Sequence, residues 1–330
     1  MERKIKLIGR QHINGLVLVT VVTTIAYLVS QQFSVVSSLT VGLVIALLVS
    51  NLFRLPDSIT PGAVFASKYL MRLGIILLGL RISFNQVAEV GFAGLILVVI
   101  VVVGTFFGVI VLGKVLNLSK NTSILLGAGF AICGNTAIAA ISPTINAKRE
   151  ETAYAVGLVT LFGTISIGAL PLFASLLGLS EQRFGAWAGA AVHDVGQVVA
   201  TAEVIGGAAL TIAVIVKLTR MLLLAPMLIA ISAKFNVAAG AKMRAAIPPF
   251  ILLFIGVLSL NSLLTIPVQV IDMGKTVSIL LLTAGITGMG MGVKWRNLIT
   301  VGGNPLIAAT IAWVLIATGS LGLIVALGVA

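Results

Sequence analysis

Eleven apolar runs follow one another along this chain with only short polar breaks between them. They lie near residues 14–30, 35–50, 62–80, 91–113, 121–146, 152–177, 184–205, 208–232, 247–266, 276–293 and 305–328. A helix needs roughly 20 predominantly apolar residues to cross the hydrocarbon core of a bilayer, and most of these runs qualify. Only 9% of the residues are charged, against about 25% in a soluble domain, so no polar surface can be built. The sequence therefore predicts an all-α polytopic membrane protein with about eleven transmembrane segments. No long polar insertion occurs, so residues 1–330 form a single transmembrane domain. The first run is too long for a signal peptide and lacks its small-residue cleavage pattern.

The net charge of +12 has a topological explanation. Eleven crossings from an inside N-terminus place thirteen Lys and Arg in cytoplasmic loops: Arg3, Lys4, Lys6, Arg10, Arg54, Lys114, Lys120, Arg183, Lys234, Lys242, Arg244, Lys294 and Arg296. Arg81, Lys148, Arg149 and Lys275 fall outside, and Lys68, Arg72, Lys217 and Arg220 lie within spans. That asymmetry follows the positive-inside rule, so a nucleic-acid partner is not expected. The expected location is the cell inner (cytoplasmic) membrane, multi-pass, with the N-terminus cytoplasmic. A single cysteine, Cys133, rules out an internal disulfide or a Cys-rich metal site. Two histidines, one of them in the N-terminal tail, argue against catalytic zinc. No cofactor is expected.

Two segments look like interrupted helices. Gly127–Pro143 (GAGFAICGNTAIAAISP) carries glycines and an Asn-Thr pair at mid-depth, and Thr283–Val293 (TAGITGMGMGV) carries four glycines. In lipid, irregular backbone survives only where it is buried in protein or lines a cavity. The second segment reads equally well as a packing face, since small residues let membrane helices approach closely. Transporters with broken helices usually contain inverted repeats. A leading helix followed by two five-helix units, 35–177 and 184–328, fits eleven spans. It aligns Arg72 with Arg220 and pairs 127–143 with 276–293. A rival alignment lays AICGNTAIAAIS (131–142) over AVHDVGQVVATA (191–202), and GLRISFNQVAEVG (79–91) over GMGVKWRNLITVG (290–302). The rival makes 127–143 and 184–205 the two polar hairpins, re-entrant from opposite sides. Sequence leaves the choice open.

An ionisable group near the bilayer centre costs at least about 2.5–3.5 kcal/mol on insertion scales, so such groups should face a partner or a path. Lys68 and Arg72, four apart, share a helix face, as do Lys217 and Arg220, three apart. Snorkelling accounts for Lys68 near the start of its span, less readily for the other three. Asp194 and Gln197 also share a face, and His193 pairs with Gln197 at i, i+4. Histidine is the side chain that changes charge near neutral pH, so His193 and Asp194 suggest proton coupling or a gated anion site. The plainer alternatives are a neutral imidazole satisfied by a carbonyl and a buried Asp194–Arg220 ion pair. A broken helix offers free N–H groups at a half-helix N-terminus, a ready anion site, which nominates Cys133, Gly134, Asn135 and Thr136. Tyr154, Trp187, Trp295 and Trp313 read as interfacial or packing aromatics.

The runs LGAGFAICGNTAIAAISP, AVHDVGQVV and VKLTRMLLLAPM, in this order and spacing, resemble the YeiH-like sulfate exporter family of bacterial inner-membrane proteins. The likeness covers residues from about 15 to 325. It implies kinship with the cation–proton antiporters and bile-acid-type symporters: five-plus-five inverted repeats, elevator-type movement and a homodimer. Asn135 and Thr136 stand where that family commonly has a small residue or Ser, which leaves the substrate open.

The function expected is a secondary transporter of a small inorganic or organic anion, a sulfur oxyanion such as sulfate, sulfite or a sulfonate, coupled to protons or cations. Its binding residues would be Cys133, Gly134, Asn135, Thr136, His193, Gln197, Lys217, Arg220, Arg72 and Lys68, with His193 and Asp194 coupling. The expected partners are the anion and membrane lipid. No Walker-type motif appears, so ATP is not the direct driver. A cation–proton antiporter using Asp194 is the first alternative. An enzyme would need an activated nucleophile with a base in reach, and only Cys133 and His193 offer themselves. A channel lacks its gating-charge rows or carbonyl-filter repeats.

Overall fold

The computed structural model describes residues 10–32, 37–235, 248–293 and 303–329. The basic N-terminal anchor at Arg3, Lys4 and Lys6, the segment 236–247 with Lys242 and Arg244, and Lys294, Trp295 and Arg296 lie outside the described residues. Within them the chain is all-helical. The eleven apolar runs take three forms. Seven are helices long and apolar enough to cross a membrane. Two, Ser38–Leu52 and Pro249–Leu263, are shorter apolar helices. Two are broken pairs, Lys120–Ala131 with Asn135–Ile141 and Glu181–Ala191 with Val195–Glu203.

Contacts divide the chain into two compact units. The first takes residues 1–83 and 252–295. It opens with α1 (Arg10–Gln32), α2 (Ser38–Leu52), α3 (Thr60–Phe65) and α4 (Met71–Leu78), the last two joined by a π-type turn at Ala66–Leu70. Ser37 caps α2, its hydroxyl accepting from Leu39 N at 3.2 Å. The second unit takes residues 84–251 and 296–330. Its helices are α5 (Phe84–Val115), α6 (Lys120–Ala131), α7 (Asn135–Ile141), α8 (Arg149–Leu176), α9 (Glu181–Ala191), α10 (Val195–Glu203), α11 (Gly207–Leu222) and α12 (Leu224–Lys234). α13 (Pro249–Leu263) leads back into the first unit, which closes with α14 (Val268–Gly292), and α15 (Asn304–Leu327) returns to the second.

In the first unit, α14 corrects one sequence expectation. The segment 283–293 is not broken; residues 283–292 belong to a continuous 25-residue helix, and Val293 is its C-cap. Its glycines form a close-approach face. A Cβ on Gly285 would lie 2.4 Å from Met71 Cβ, and one on Gly288 2.4 Å from the Ala63 carbonyl oxygen. Without hydrophobic drive between helices in lipid, such contacts and interhelical hydrogen bonds hold a bundle together. Ser38 meets Thr283 hydroxyl to hydroxyl at 3.1 Å, Ser278 donates to Gly74 O at 2.8 Å, and Asn51 Nδ2 donates to Val293 O at 2.9 Å. The small core of Val19, Val22, Ala46, Ala63, Ala66, Ala284 and Met291 fills the space between.

The second unit is built around helix ends. α6 and α9 both begin on serine caps: Ser119 accepts from Thr122 N at 3.1 Å and Ser180 from Arg183 N at 3.3 Å. Each then runs into the interior and stops. α6 is wholly buried from Thr122 onward and α9 from Phe184 onward. Neither stops at a proline. α6 ends because Ile132 leaves the helical region and Gly134 adopts φ 62°, a conformation in which L side chains are strained. α9 ends in extended backbone at Val192 and Asp194. α11 and α12 are divided more gently at Leu223, where Pro226 removes a helical donor.

Candidate functional site: paired helix breaks closed by two buried cations

The breaks at 132–134 and 192–194 lie side by side. A Cβ on Gly134 would stand 3.6 Å from Asp194 Cα. The two breaks fall at matching positions when 131–142 is laid over 191–202: Ala131 and Ala191 end one helix each, and Asn135 and Val195 begin the next. Helix C-termini leave carbonyls without intrahelical partners and carry a partial negative charge. Two such ends are buried here, and α11 answers both. The Lys217 ammonium donates to Ile132 O at 2.6 Å, to Val192 O at 3.0 Å and to His193 O. It thus takes the equivalent carbonyl from each break. The Arg220 guanidinium donates through Nε and Nη2 to Ala131 O (3.1 and 2.7 Å) and through Nη2 to Phe130 O at 2.9 Å. Its Nη1 donates to Gly189, Ala190 and Val192 carbonyls at 3.0, 2.5 and 3.2 Å. Both side chains are fully buried.

The cations expected to hold an anion directly therefore hold backbone. An ammonium has three donors and a guanidinium five, and the carbonyl contacts occupy them. This arrangement also resolves the cost of placing Lys217 and Arg220 at mid-span, because two helix ends would be as costly without them.

The polar residues of the two breaks gather at the starts of α7 and α10 and on α8. Asp194 caps α10: its Oδ1 accepts from Gly196 N at 3.0 Å, and its own N–H donates to Gln197 Oε1 at 3.2 Å, a reciprocal capping box. Gln197 Nε2 reaches across to Thr160 O at 3.1 Å and Thr164 Oγ1 at 3.4 Å. Gly163 makes room for this amide, since a Cβ there would sit 1.8 Å from Gln197 Oε1. α7, by contrast, starts at Gly134 with no side-chain cap. Asn135 Nδ2 donates to Thr160 Oγ1 at 3.3 Å, while its Oδ1 is buried with no partner among the described residues. Asn135, Thr136, Asp194, Thr160 and Thr164 are half-buried. Cys133 is buried. His193 is fully buried, and neither ring nitrogen has a hydrogen-bond partner among the described residues. Its ring packs on Phe130 at 4.3 Å, the first contact of a row that continues through Phe162 to Trp313.

The arrangement thus brings together Cys133, Gly134, Asn135, Thr136, His193, Asp194, Gln197, Lys217 and Arg220. Lys68 and Arg72 belong to the first unit, Lys68 exposed in the π-type turn and Arg72 half-buried on α4. Sequence reading missed Thr160, Gly163 and Thr164. Their signal was available as two threonines at i, i+4 with a glycine between, on one face of an apolar helix. Trp187 and Trp313 are packing residues, donating to Ala317 O at 2.7 Å and to Ser166 Oγ at 2.8 Å.

Seven helices fit to span, together with two helices interrupted inside the protein around buried charge, define a polytopic membrane protein with a polar interior site. The chain belongs to the family described as conserved hypothetical protein 698, whose model matches residues 14–309. It is similar to a UPF0324 membrane protein of Corynebacterium glutamicum, 38% identical over 299 residues, 89% of this chain and 87% of the relative. The UPF0324 inner membrane protein YeiH of Escherichia coli K12 is 37% identical over 271 residues, 79% of this chain and 78% of the relative. A UPF0324 membrane protein of Bacillus cereus is 36% identical over 269 residues, 80% and 76% respectively. The protein is accordingly a multi-pass inner-membrane protein.

Proposed function

We propose that this protein is a secondary transporter of a small anion, bound at the paired breaks of the second unit. The observation that carries the reading is the charge gathered there. The partial charges of the two buried C-termini and two N-termini roughly cancel. What is left is Lys217 and Arg220 against the carboxylate of Asp194. In a low-dielectric interior that surplus attracts an anion, even though the two cations touch backbone. The uncapped start of α7, with Asn135 and Thr136 half-buried beside it, supplies donors of the kind transporters present from half-helices. Asp194 and His193 are the coupling groups. The inverted repeats pair 131–142 with 191–202, so that 127–143 and 184–205 re-enter from opposite sides while the other nine apolar segments cross, and the second unit moves as an elevator. The family resemblance makes sulfate, sulfite and small sulfonates the first substrates to try.

One observation favours a second reading. Asp194, the Asn135 Oδ1 that has no partner among the described residues, and the Thr160 and Thr164 hydroxyls make an oxygen-rich group, and hard cations take oxygen ligands. The protein would then be a cation–proton antiporter with Asp194 as the ion-binding carboxylate. Flux of radioactive sulfate and sulfite into proteoliposomes, with and without a pH gradient, is the test. Saturable anion uptake that a pH gradient stimulates is expected. Sodium–proton exchange without any anion flux would transfer the assignment to the second reading.

A further inference from the structure

A deep groove of about 670 Å³ runs along the second unit, away from the helix breaks. Its walls are α5 on one side and α12 on the other, with Ile124 of α6 at the floor. The lining is apolar, led by Val103, Phe107, Ile110, Met227 and Ala230, except at one end. There three lysines line it, each on a helix terminus: Lys114 in the last turn of α5, Lys120 at the first residue of α6 and Lys234 at the last residue of α12. All three are exposed. Among the described residues no carboxylate pairs with any of them, although Lys120 Nζ stands 4.8 Å over the Phe235 ring.

We propose that this groove is a binding site for an anionic phospholipid, with an acyl chain along the apolar walls and the phosphodiester among Lys114, Lys120 and Lys234. The volume lies within the roughly 300–1,000 Å³ of small-molecule pockets. Apolar lining alone marks nothing in a membrane protein, since lipid covers every outer face. The shape and the one-ended charge together are what select the occupant: a chain needs the channel, and a headgroup phosphate needs the cations at its mouth. Basic pockets between transmembrane helices at the cytoplasmic side bind anionic headgroups in this way. The charge asymmetry of the loops independently expects these same three lysines at the cytoplasmic face. Three helices end at that mouth, as they must where the chain leaves hydrocarbon, so headgroup depth and lysine depth coincide.

The test is native mass spectrometry of the purified full-length protein in detergent, titrated with phosphatidylglycerol and with phosphatidylcholine of identical acyl chains. The wild type is expected to prefer phosphatidylglycerol at least about tenfold, each lysine contributing about fivefold at most. The triple variant Lys114→Gln/Lys120→Gln/Lys234→Gln should lose that preference and keep the weaker binding of both lipids. Ala230→Trp, which fills the channel, should weaken both. Equal retention of the two lipids by the wild type, or an unchanged preference in the triple variant, overturns the proposal. So does displacement of phosphatidylglycerol by inorganic phosphate, which would make the lysines a headgroup-independent anion site. Lipid-independent disulfide dimers through Ala230→Cys would overturn it as well, assigning the groove to a second copy of the chain. The lysine variants touch only exposed side chains, so that arm decides the matter even if Ala230→Trp does not fold.

Discussion

Arg220 illustrates how a charge enters a membrane interior without an acidic partner. Its contacts go to the carbonyls of Phe130, Ala131, Gly189, Ala190 and Val192, so it joins two helix ends that lie far apart in sequence. Arg220→Gln leaves those ends without a counter-charge, and hydrogen bonds to charged groups contribute about 1.5–3 kcal/mol each. A loss of at least about 3 kcal/mol is expected, read as a lower melting temperature in detergent by fluorescence-detected size exclusion. Arg220→Lys should fall between, because an ammonium cannot fork to both ends at once. A wild-type melting temperature for Arg220→Gln would remove the cation from this role. Gly163 gives a second residue-level test. Gly163→Ala drives a methyl into Gln197 and should cost about 1–3 kcal/mol by overpacking. Adding Gln197→Ala should relieve that clash and recover part of the stability, but not the anion flux proposed above. If Gly163→Ala alone melts like the wild type, Gln197 is not held as described.

Elements reveal what a sequence can and cannot announce. The Gly-Asn-Thr cluster at 134–136 announced its break, because Asn and Thr favour caps over helix interiors and glycine supplies the positive φ. The break at 192–194 was legible through the misplaced polarity of His193 and Asp194, which implied a site, and through one of two competing alignments, which laid 191–202 over 131–142 and made 184–205 a hairpin. At 283–293 four glycines suggested a break where the helix is continuous. Glycine composition is the same for a broken helix and a close-packed one; only the neighbour's distance distinguishes them. That distinction is measurable. Gly288→Ala would push Cβ against the Ala63 carbonyl at 2.4 Å, whereas Gly292 has nothing within 4 Å. Gly288→Ala should therefore lower the melting temperature by several degrees, and Gly292→Ala should leave it unchanged or raise it slightly, as alanine for glycine does in an exposed helix. Equal responses of the two variants would mean that α14 does not pack on its glycine face. The capping role of Lys217 and Arg220 was not legible at all, since carbonyls carry no sequence signature.

At the scale of the whole molecule, seven of the eleven apolar runs are helices long and apolar enough to cross a membrane among the described residues, and the other four take other forms. A run can be long and apolar in sequence and still be two half-helices, as 121–146 and 184–205 are. The side of the membrane to which each end belongs follows from charge. In a Cys133→Ala background, Lys114→Cys and Lys234→Cys should resist an impermeant thiol reagent in intact cells and react in inverted vesicles. Ready modification from outside would reverse the threading of the chain. One feature of the interior extends to the native-state dynamics of the second unit. The Lys217 ammonium is shared between Ile132, Val192 and His193, so neither break can open without stranding a cation that the other still needs. Amide hydrogen exchange should therefore report one cooperative opening: the amides of 135–138 and 195–198 should exchange at a common rate, and Lys217→Met should split them into two. Separate rates already in the wild type would show two hinges where the hydrogen bonds imply one.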